Sequence, residues 1–146
     1  MEDIIYKHAL KHIVSKMGNK ITDGKQLLKA GRELFGKKIH GVYPADRIPK
    51  LTKQQPYCIA NLDTANMFGS HWVAIVRDGN DLLFYDSFGR KASKILPYIY
   101  EGGRNVINTE DDKEQDLNGV EENCGQRSLT ALFIYDQFGR KMFLKL

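Results

Sequence analysis

Three residues have side chains that could together perform nucleophilic catalysis: His71, Asp86 and Cys124. A cysteine is nucleophilic as its thiolate, a histidine can remove the thiol proton, and a carboxylate can fix the tautomer of that histidine. Cys124 leads directly into an apolar helical segment, where unpaired N–H groups and the helix dipole favour thiolate over thiol. Taken singly, each residue also has a structural explanation: a surface histidine, a turn-capping aspartate and a small buried cysteine.

The spacing of His71 and Asp86 predicts that their side chains are neighbours. His71 begins one strand-like run, Asp86 ends the next, and the Asp78-Gly79 pair between the runs is a strong hairpin signal. If Asp78-Gly79 is a two-residue turn, His71 lies directly opposite Asp86, with Cβ atoms about 4.5–5.5 Å apart. A four-residue loop over 78–81 would keep both side chains on one face of the sheet, whereas a three-residue loop would separate them.

An amide side chain could join the backbone N–H of Cys124 in stabilising an oxyanion. Gln115 is the candidate in the polar segment before Cys124, and losing one such donor typically slows a reaction about 10²–10³-fold. Cys58 lies in an apolar strand-like run and is expected to be buried and unreactive. His71 and Cys124 are too few ligands for a metal ion, so no metal site is expected.

Hydrophobic periodicity and stop signals predict the elements that must position these residues. An amphipathic helix is predicted over residues 3–17, and a second helix from a Thr22-Asp23 cap to a stop at Gly36, followed by a loop. Later elements are strands over 57–62, 71–77 and 80–86, a candidate short strand over 106–108, and an apolar helix from Cys124-Gly125 to Gly139. The order helix, helix, strands, helix predicts the α+β class.

Length and composition limit the class of protein. A chain of 146 residues, 42% hydrophobic and 27% charged, fits one globular domain over residues 1–146. No apolar run approaches the roughly 20 residues that span a bilayer, and the acidic first residues lack the features of a signal peptide. Neither membrane insertion nor secretion is therefore expected. Two cysteines cannot form a disulfide framework, which favours a reducing compartment.

The positive charge is concentrated in the first third of the chain. Residues 1–50 hold 11 Lys and Arg against 5 Asp and Glu, a formal charge of +6, whereas residues 51–146 carry a formal charge of −2. Such an asymmetry would suit nucleic acid or an acidic surface, although a solvated helix face is the more common reason for it. The basic segment is therefore a candidate DNA-binding region.

Three segments, read together, resemble the catalytic blocks of the adenovirus protease family, the adenain-like cysteine proteases related to the ubiquitin-like-protein proteases. They are residues 69–72 (Gly-Ser-His-Trp), 83–89 (Leu-Phe-Tyr-Asp-Ser-Phe-Gly) and 123–125 (Asn-Cys-Gly). Their order of histidine, acid and cysteine is that of the family. Residues 35–49 and 57–63 also resemble the family's substrate-side loop and the strand before its histidine, so the resemblance covers nearly the whole chain.

The resemblance implies an adenain-like fold, in which a small mixed or antiparallel sheet has flanking helices. It implies one protease domain, with a basic helical segment over 1–50 and the catalytic hairpin and cysteine helix over 57–139. The implied roles are general base for His71, orienting acid for Asp86, nucleophile for Cys124, oxyanion donor for Gln115, and substrate contact for Trp72 and Asn123.

The oxyanion donor departs from the family's spacing. Family members carry a glutamine about six or seven residues before the cysteine, whereas Gln115 lies nine residues before Cys124 and Asn118 lies six before it. An added turn at Asn118-Gly119 would explain the longer spacing and keep Gln115 as the donor. Asn118 is the rival candidate.

The implied function is a maturation protease of a DNA virus, virophage or related mobile element. It would cleave capsid or core precursor polypeptides after small residues such as glycine, within the virion and the host-cell interior, in the nucleus or cytoplasm. The sequence requires no cofactor, but a peptide or DNA activator is compatible with it. Two alternatives stay open: a protease that removes ubiquitin or a ubiquitin-like modifier, and a non-enzymatic virion protein that retains the fold.

Overall fold

The structure is a computed structural model that describes residues 2–20, 22–64, 71–100, 103–110 and 123–146. Its helices are α1 (Glu2–Met17), α2 (Gly24–Phe35), α3 (Ala92–Ile95), α4 (Cys124–Phe138) and α5 (Arg140–Leu144). Its strands are β1 (Ile39–Tyr43), β2 (Tyr57–Asn61), β3 (Trp72–Asp78), β4 (Asp81–Tyr85) and β5 (Asn105–Asn108). Short 3-10 helices cover Gly36–Lys38, Ala45–Arg47 and Pro97–Tyr100. Within the described ranges, no helix combines the length and apolar character that a bilayer crossing requires.

The five strands form one mixed sheet in the order β1-β2-β3-β4-β5. The central strands β2, β3 and β4 pair antiparallel, and the two outer strands each run parallel to their neighbour. The predicted α+β class, with a mixed sheet and flanking helices, is therefore confirmed.

Helix α2 begins and ends where local chemistry predicts. The carboxylate of Asp23 accepts a hydrogen bond from Gln26 N at 2.8 Å, and Asp23 N donates to Gln26 Oε1 at 2.9 Å. This reciprocal pair is a capping box, which satisfies backbone donors that a helix start leaves unpaired. Gly36 ends the helix with a φ of 61°, a left-handed conformation that glycine adopts without strain.

The prediction of a loop after α2 is wrong for residues 39–43, which form β1 and pair in parallel with β2. Gly41 suggests a break in the sequence, but in the structure it allows the Tyr43 side chain to pack closely against the strand. A Cβ on Gly41 would lie 2.6 Å from the hydroxyl oxygen of Tyr43. The ladder also shifts register between Ile39 and Gly41. Pairing with a strand far along the chain therefore overrides the local glycine signal.

The hairpin turn lies one residue later than the two-residue turn predicted at Asp78-Gly79. Asp78 pairs with Asp81, so Gly79 and Asn80 form the turn. Gly79 has a φ of 61°, as the first central residue of a type II′ hairpin turn requires. In this register Asp86 lies level with Val73, two positions along β3 from His71. The four-residue loop over 78–81 gives the same register, and it keeps the His71 and Asp86 side chains on one face of the sheet.

Alternating residues of the sheet build two apolar cores. The helix-side core packs Ile59, Ala74, Leu83 and Tyr85 against α1, α2, α4 and α5. The loop-side core packs the opposite face of the same strands against α3, the 3-10 helix Pro97–Tyr100 and residues 45–51. Helix α4 therefore rests on one face of β3, and the contacts described below bring its first residue beside the start of that strand.

Candidate active site

The three candidate catalytic residues lie at ends of elements. His71 immediately precedes β3, Asp86 immediately follows β4, and Cys124 is the first residue of α4. Because β3 and β4 are antiparallel neighbours, the start of one and the end of the other meet at the same edge of the sheet. The structure brings the side chains of all three residues together there.

His71 and Asp86 form a short contact in a buried environment. The imidazole Nε2 lies 2.5 Å from Asp86 Oδ1, and the two residues are only 7% and 3% exposed. The predicted contact is therefore confirmed, although the predicted hairpin register is not. Because Nε2 is held by the carboxylate, Nδ1 is the ring nitrogen left for the cysteine.

Cys124 is half-buried and receives two kinds of support. Its thiol group shares a hydrogen bond with the His71 side chain, and the backbone N–H of Trp72 donates to Sγ at 3.5 Å. Ser128, one turn further along α4, donates its hydroxyl to Trp72 O at 3.2 Å. Both backbone groups of Trp72 therefore hold the start of α4 against β3.

The surroundings favour the ionised pair over the neutral pair. Burial alone would raise the pKa of Cys124, but the His71 hydrogen bond and charge and the N–H groups of Trp72 and Gly125 lower it below its usual value. Burial alone would lower the pKa of His71, but the hydrogen bonds and charges of Asp86 and Cys124 raise it. The opposite shifts favour a thiolate beside an imidazolium.

Arg90 holds the second carboxylate oxygen of Asp86, a role that no motif in the sequence predicts. Its backbone N and its Nε donate to Asp86 Oδ2 at 3.0 and 2.8 Å. Burial alone would raise the pKa of Asp86, but the hydrogen bonds and charges of His71 and Arg90 hold it below its usual value. The carboxylate therefore stays ionised although it is buried.

Phe88 completes a closed ring of four contacting side chains. It stacks on the His71 imidazole, with ring centroids 4.7 Å apart and planes at 14°. The guanidinium carbon of Arg90 lies 4.9 Å from the Phe88 centroid, within cation–π range. His71, Asp86, Arg90 and Phe88 thus each contact two others, which limits rotation of the imidazole. Asp86, Phe88 and Arg90 follow β4 within five residues, and this close spacing is the signal that the sequence offers.

The first turn of α4 is anchored by buried polar side chains. Gln126 Nε2 donates to Gly18 O at 2.9 Å and to Lys20 O at 2.8 Å. Asn123, 2% exposed, donates to Asn19 Oδ1 at 2.6 Å and accepts from Arg127 Nε at 2.9 Å. These contacts hold the start of α4, where Cys124 lies, against the connection between α1 and α2.

The other predicted site residues have different outcomes. The contacts of Asn123 lie within the protein, so its substrate contact stays a prediction. Trp72 is half-buried and donates Nε1 to Thr22 O at 3.1 Å, which holds the indole beside the site. Gln115 and Asn118 lie outside the described residues. Cys58 is buried and unpaired with Cys124, and burial raises its pKa to about 12.

Gly125, the residue after Cys124, leaves no space for a side chain. An added Cβ would lie 2.3 Å from Thr22 Oγ1 and 2.8 Å from Leu27 Cδ2, both on buried residues. We expect Gly125→Ala to lower the free energy of unfolding by about 1–3 kcal/mol through overpacking. Denaturant unfolding measures this loss. Gly24→Ala is the matched control, because its nearest neighbour would lie at 3.6 Å; equal losses in the two variants would contradict the packing argument.

No cluster of three or more His, Cys, Asp or Glu side chains in the described part of the chain is arranged to hold a metal ion.

No protein-family model matches the sequence, and no curated protein sequence matches it significantly. The chemistry of the site is therefore the basis for a functional assignment.

Proposed function

We propose that this protein is a cysteine endopeptidase in which Cys124 is the nucleophile, His71 the general base and Asp86 the orienting acid. The contact of one imidazole with both the Asp86 carboxylate and the Cys124 thiol carries the proposal. A nucleophile, a base in contact with it and a third group that orients the base make up the recurring arrangement for acyl transfer. The mutual pKa shifts of Cys124 and His71 support the same assignment.

The reaction follows from these positions. The Cys124 thiolate attacks a peptide carbonyl carbon, a C–S bond forms, and the carbonyl oxygen becomes an oxyanion. The His71 imidazolium gives its proton to the leaving amine as the C–N bond breaks, which leaves a thioester. Water then attacks the thioester while His71 takes its proton, the C–S bond breaks, and the carboxylic acid product leaves. The backbone N–H of Cys124 is the first proposed oxyanion donor, and Gln115, or its rival Asn118, is the second.

The substrate class rests on the sequence resemblance to adenain-like proteases. On that basis the proposed fold is adenain-like, and the proposed substrates are capsid or core precursors of a DNA virus, virophage or related element. The proposed place of action is the virion and the host-cell interior. Residues 1–50, with a formal charge of +6, are the proposed DNA-binding segment, and an activating peptide or DNA belongs to the same proposal.

Cleavage-site profiling tests the proposed function. The purified chain is incubated with a proteome-derived peptide library, and new N-termini are identified by mass spectrometry with Cys124→Ala as the control. We expect cleavage that depends on Cys124 and follows small residues such as glycine. A ubiquitin-like fluorogenic probe, tested beside virion precursor proteins, distinguishes a deconjugating enzyme from a maturation protease. Stoichiometric binding of a precursor with no turnover would instead favour the non-enzymatic alternative.

The pH dependence of kcat/KM follows from the directions of the two shifts. Activity requires the Cys124 thiolate, whose pKa is lowered, so the acid limb should lie below the usual pKa of about 8.5 for cysteine. Activity also requires protonated His71, whose pKa is raised, so the alkaline limb should lie above the usual value of about 6.5. We expect a bell-shaped profile from steady-state assays across pH. A single alkaline rise near pH 8.5 would contradict the ion pair.

Arg90 is expected to act through Asp86. Arg90→Gln removes the guanidinium charge on Asp86 Oδ2 and keeps only the backbone N–H contact, so the carboxylate is held less firmly against His71. We expect kcat to fall about ten- to hundredfold, with a smaller change in KM. Arg90→Lys keeps the charge but loses the planar guanidinium, and should recover part of the rate. Equal loss in the two variants, or a loss confined to KM, would argue against this role.

A further inference from the structure

The loop-side face of the sheet contains a cavity that the proposed active site does not use. Its volume is about 380 Å³, at the lower end of the roughly 300–1,000 Å³ typical of small-molecule sites. Ile75 of β3 and Leu82 of β4 are among the apolar residues that line it. Both belong to the loop-side core, so this cavity opens on the sheet face opposite α4.

The walls are mostly apolar, and the charge they carry is positive. Leu51 and Ile99 line the cavity together with Ile75 and Leu82, and both are nearly inaccessible to solvent. Tyr98, 41% exposed, lies at the opening. Arg104 and Lys50 also line the cavity, and none of its described lining residues is acidic. An occupant that combines an apolar body with a negative charge would therefore match both the shape and the charge of the walls.

Arg104 provides the second, independent observation. Its Nη1 is buried and has no hydrogen-bond partner within the described ranges. A buried guanidinium N–H without an acceptor is costly, because the group has lost water and gained nothing in exchange. Two other guanidinium groups show the usual arrangement: Arg90 contacts Asp86, and Arg140 contacts Asp78 and Asp81. An acceptor supplied by a ligand would satisfy Nη1.

We propose that this cavity binds a carboxylate attached directly to an apolar body, with the carboxylate on Arg104 and the apolar body against Ile75, Leu82 and Ile99. A carboxylate fits better than a phosphate, because a singly charged group loses less hydration in an apolar cavity than a doubly charged one. Hydrogen bonds from a guanidinium to a carboxylate are charge-assisted and directional. The same chemistry belongs to a free aliphatic acid and to the C-terminal carboxylate of a polypeptide with an apolar last residue.

Methyl NMR of the full-length chain with ¹³C-labelled isoleucine tests the site directly. Sodium octanoate represents the free acid, and N-acetyl-Leu-Leu represents the chain terminus. Each is compared with its uncharged amide. We expect saturable shifts of the Ile75 and Ile99 methyl signals, with those of Ile13 and Ile59 on the other face unchanged. Both amides should bind at least about tenfold more weakly. Tighter binding of octanoate or of the peptide acid identifies the source, and either result supports the site.

Variants separate a binding site from a general surface effect. Arg104→Gln should weaken binding of the preferred acid about tenfold or more. Arg47→Gln is the matched control, because Arg47 is an exposed arginine in the 3-10 helix Ala45–Arg47. This substitution should leave the affinity for the acid unchanged. Ile48→Phe narrows the cavity while keeping Arg104, and should also reduce binding. Absence of saturable shifts with both acids, equal binding of acids and amides, or unchanged binding in Arg104→Gln would overturn the proposal. None of these measurements uses catalytic activity.

Discussion

Iodoacetamide at pH 6.5 is expected to label Cys124 more than about a thousandfold faster than Cys58. The two cysteines differ in the properties that control alkylation. Cys124 is half-buried beside His71, with its pKa lowered, whereas Cys58 is buried in the sheet, with its pKa raised to about 12. Peptide mapping of the alkylated chain by mass spectrometry gives both rates.

The control for this labelling experiment is Cys58→Ala, which should leave the rate at Cys124 unchanged. A free thiol of ordinary pKa, about 8.5, would react slowly at pH 6.5 and about fifty times faster at pH 8.5, because the thiolate fraction changes by that factor. Comparable labelling of the two cysteines, or such a steep rise at Cys124, would mean that no thiolate forms beside His71.

Removal of either partner of the histidine and aspartate pair should have the second large effect. We expect His71→Ala and Asp86→Asn each to reduce kcat by on the order of 10⁴-fold. His71→Ala removes the base and the charge that lowers the pKa of Cys124. Asp86→Asn keeps the size of the side chain but removes the charge that holds Nε2 and stabilises the imidazolium.

The two variants also differ in a way that tests their roles. At pH 6.5 the alkylation rate of Cys124 should fall at least about tenfold in His71→Ala, and less in Asp86→Asn, because the imidazole is still present. Asp81→Asn is the matched control, since Asp81 lies on the same hairpin and pairs with Arg140 away from the site. An equal loss of rate in Asp81→Asn would show that hairpin stability, and not the charge at Asp86, explains the effect.

Local signals predicted much of the scaffold. The cap at Asp23, the stop at Gly36 and the start of α4 at Cys124 depend on a few neighbouring residues, so they could be found in the sequence. The contact of His71 with Asp86 was also predictable, because a hairpin brings residues 15 positions apart to one edge of the sheet. The predicted turn lies one residue too early, because Asp78-Gly79 and Gly79-Asn80 are both good turn pairs.

Long-range pairing explains what the sequence did not predict. Strand β1 forms because β2 provides its pairing partner. No alternation of apolar and polar residues within 39–43 predicts a strand there. The contacts of Arg90 with Asp86 and of Phe88 with His71 depend on how the chain turns after β4. Arg104 beside an apolar cavity depends on packing across the loop-side core, to which distant parts of the sequence contribute.

The order of the site residues along the chain also bears on synthesis. His71 and Asp86 belong to one hairpin, whereas Trp72 and Cys124, which meet at the thiol, are 52 residues apart. Closing the loop between Trp72 and Cys124 costs more entropy than closing the hairpin. It can occur only after α4 has left the ribosome and packed against the sheet. In a nascent chain, His71 and Asp86 could therefore be in contact before Cys124 lies beside them. The thiol would become reactive only on folding, so under the proposed function a partly synthesised chain could not cleave other proteins.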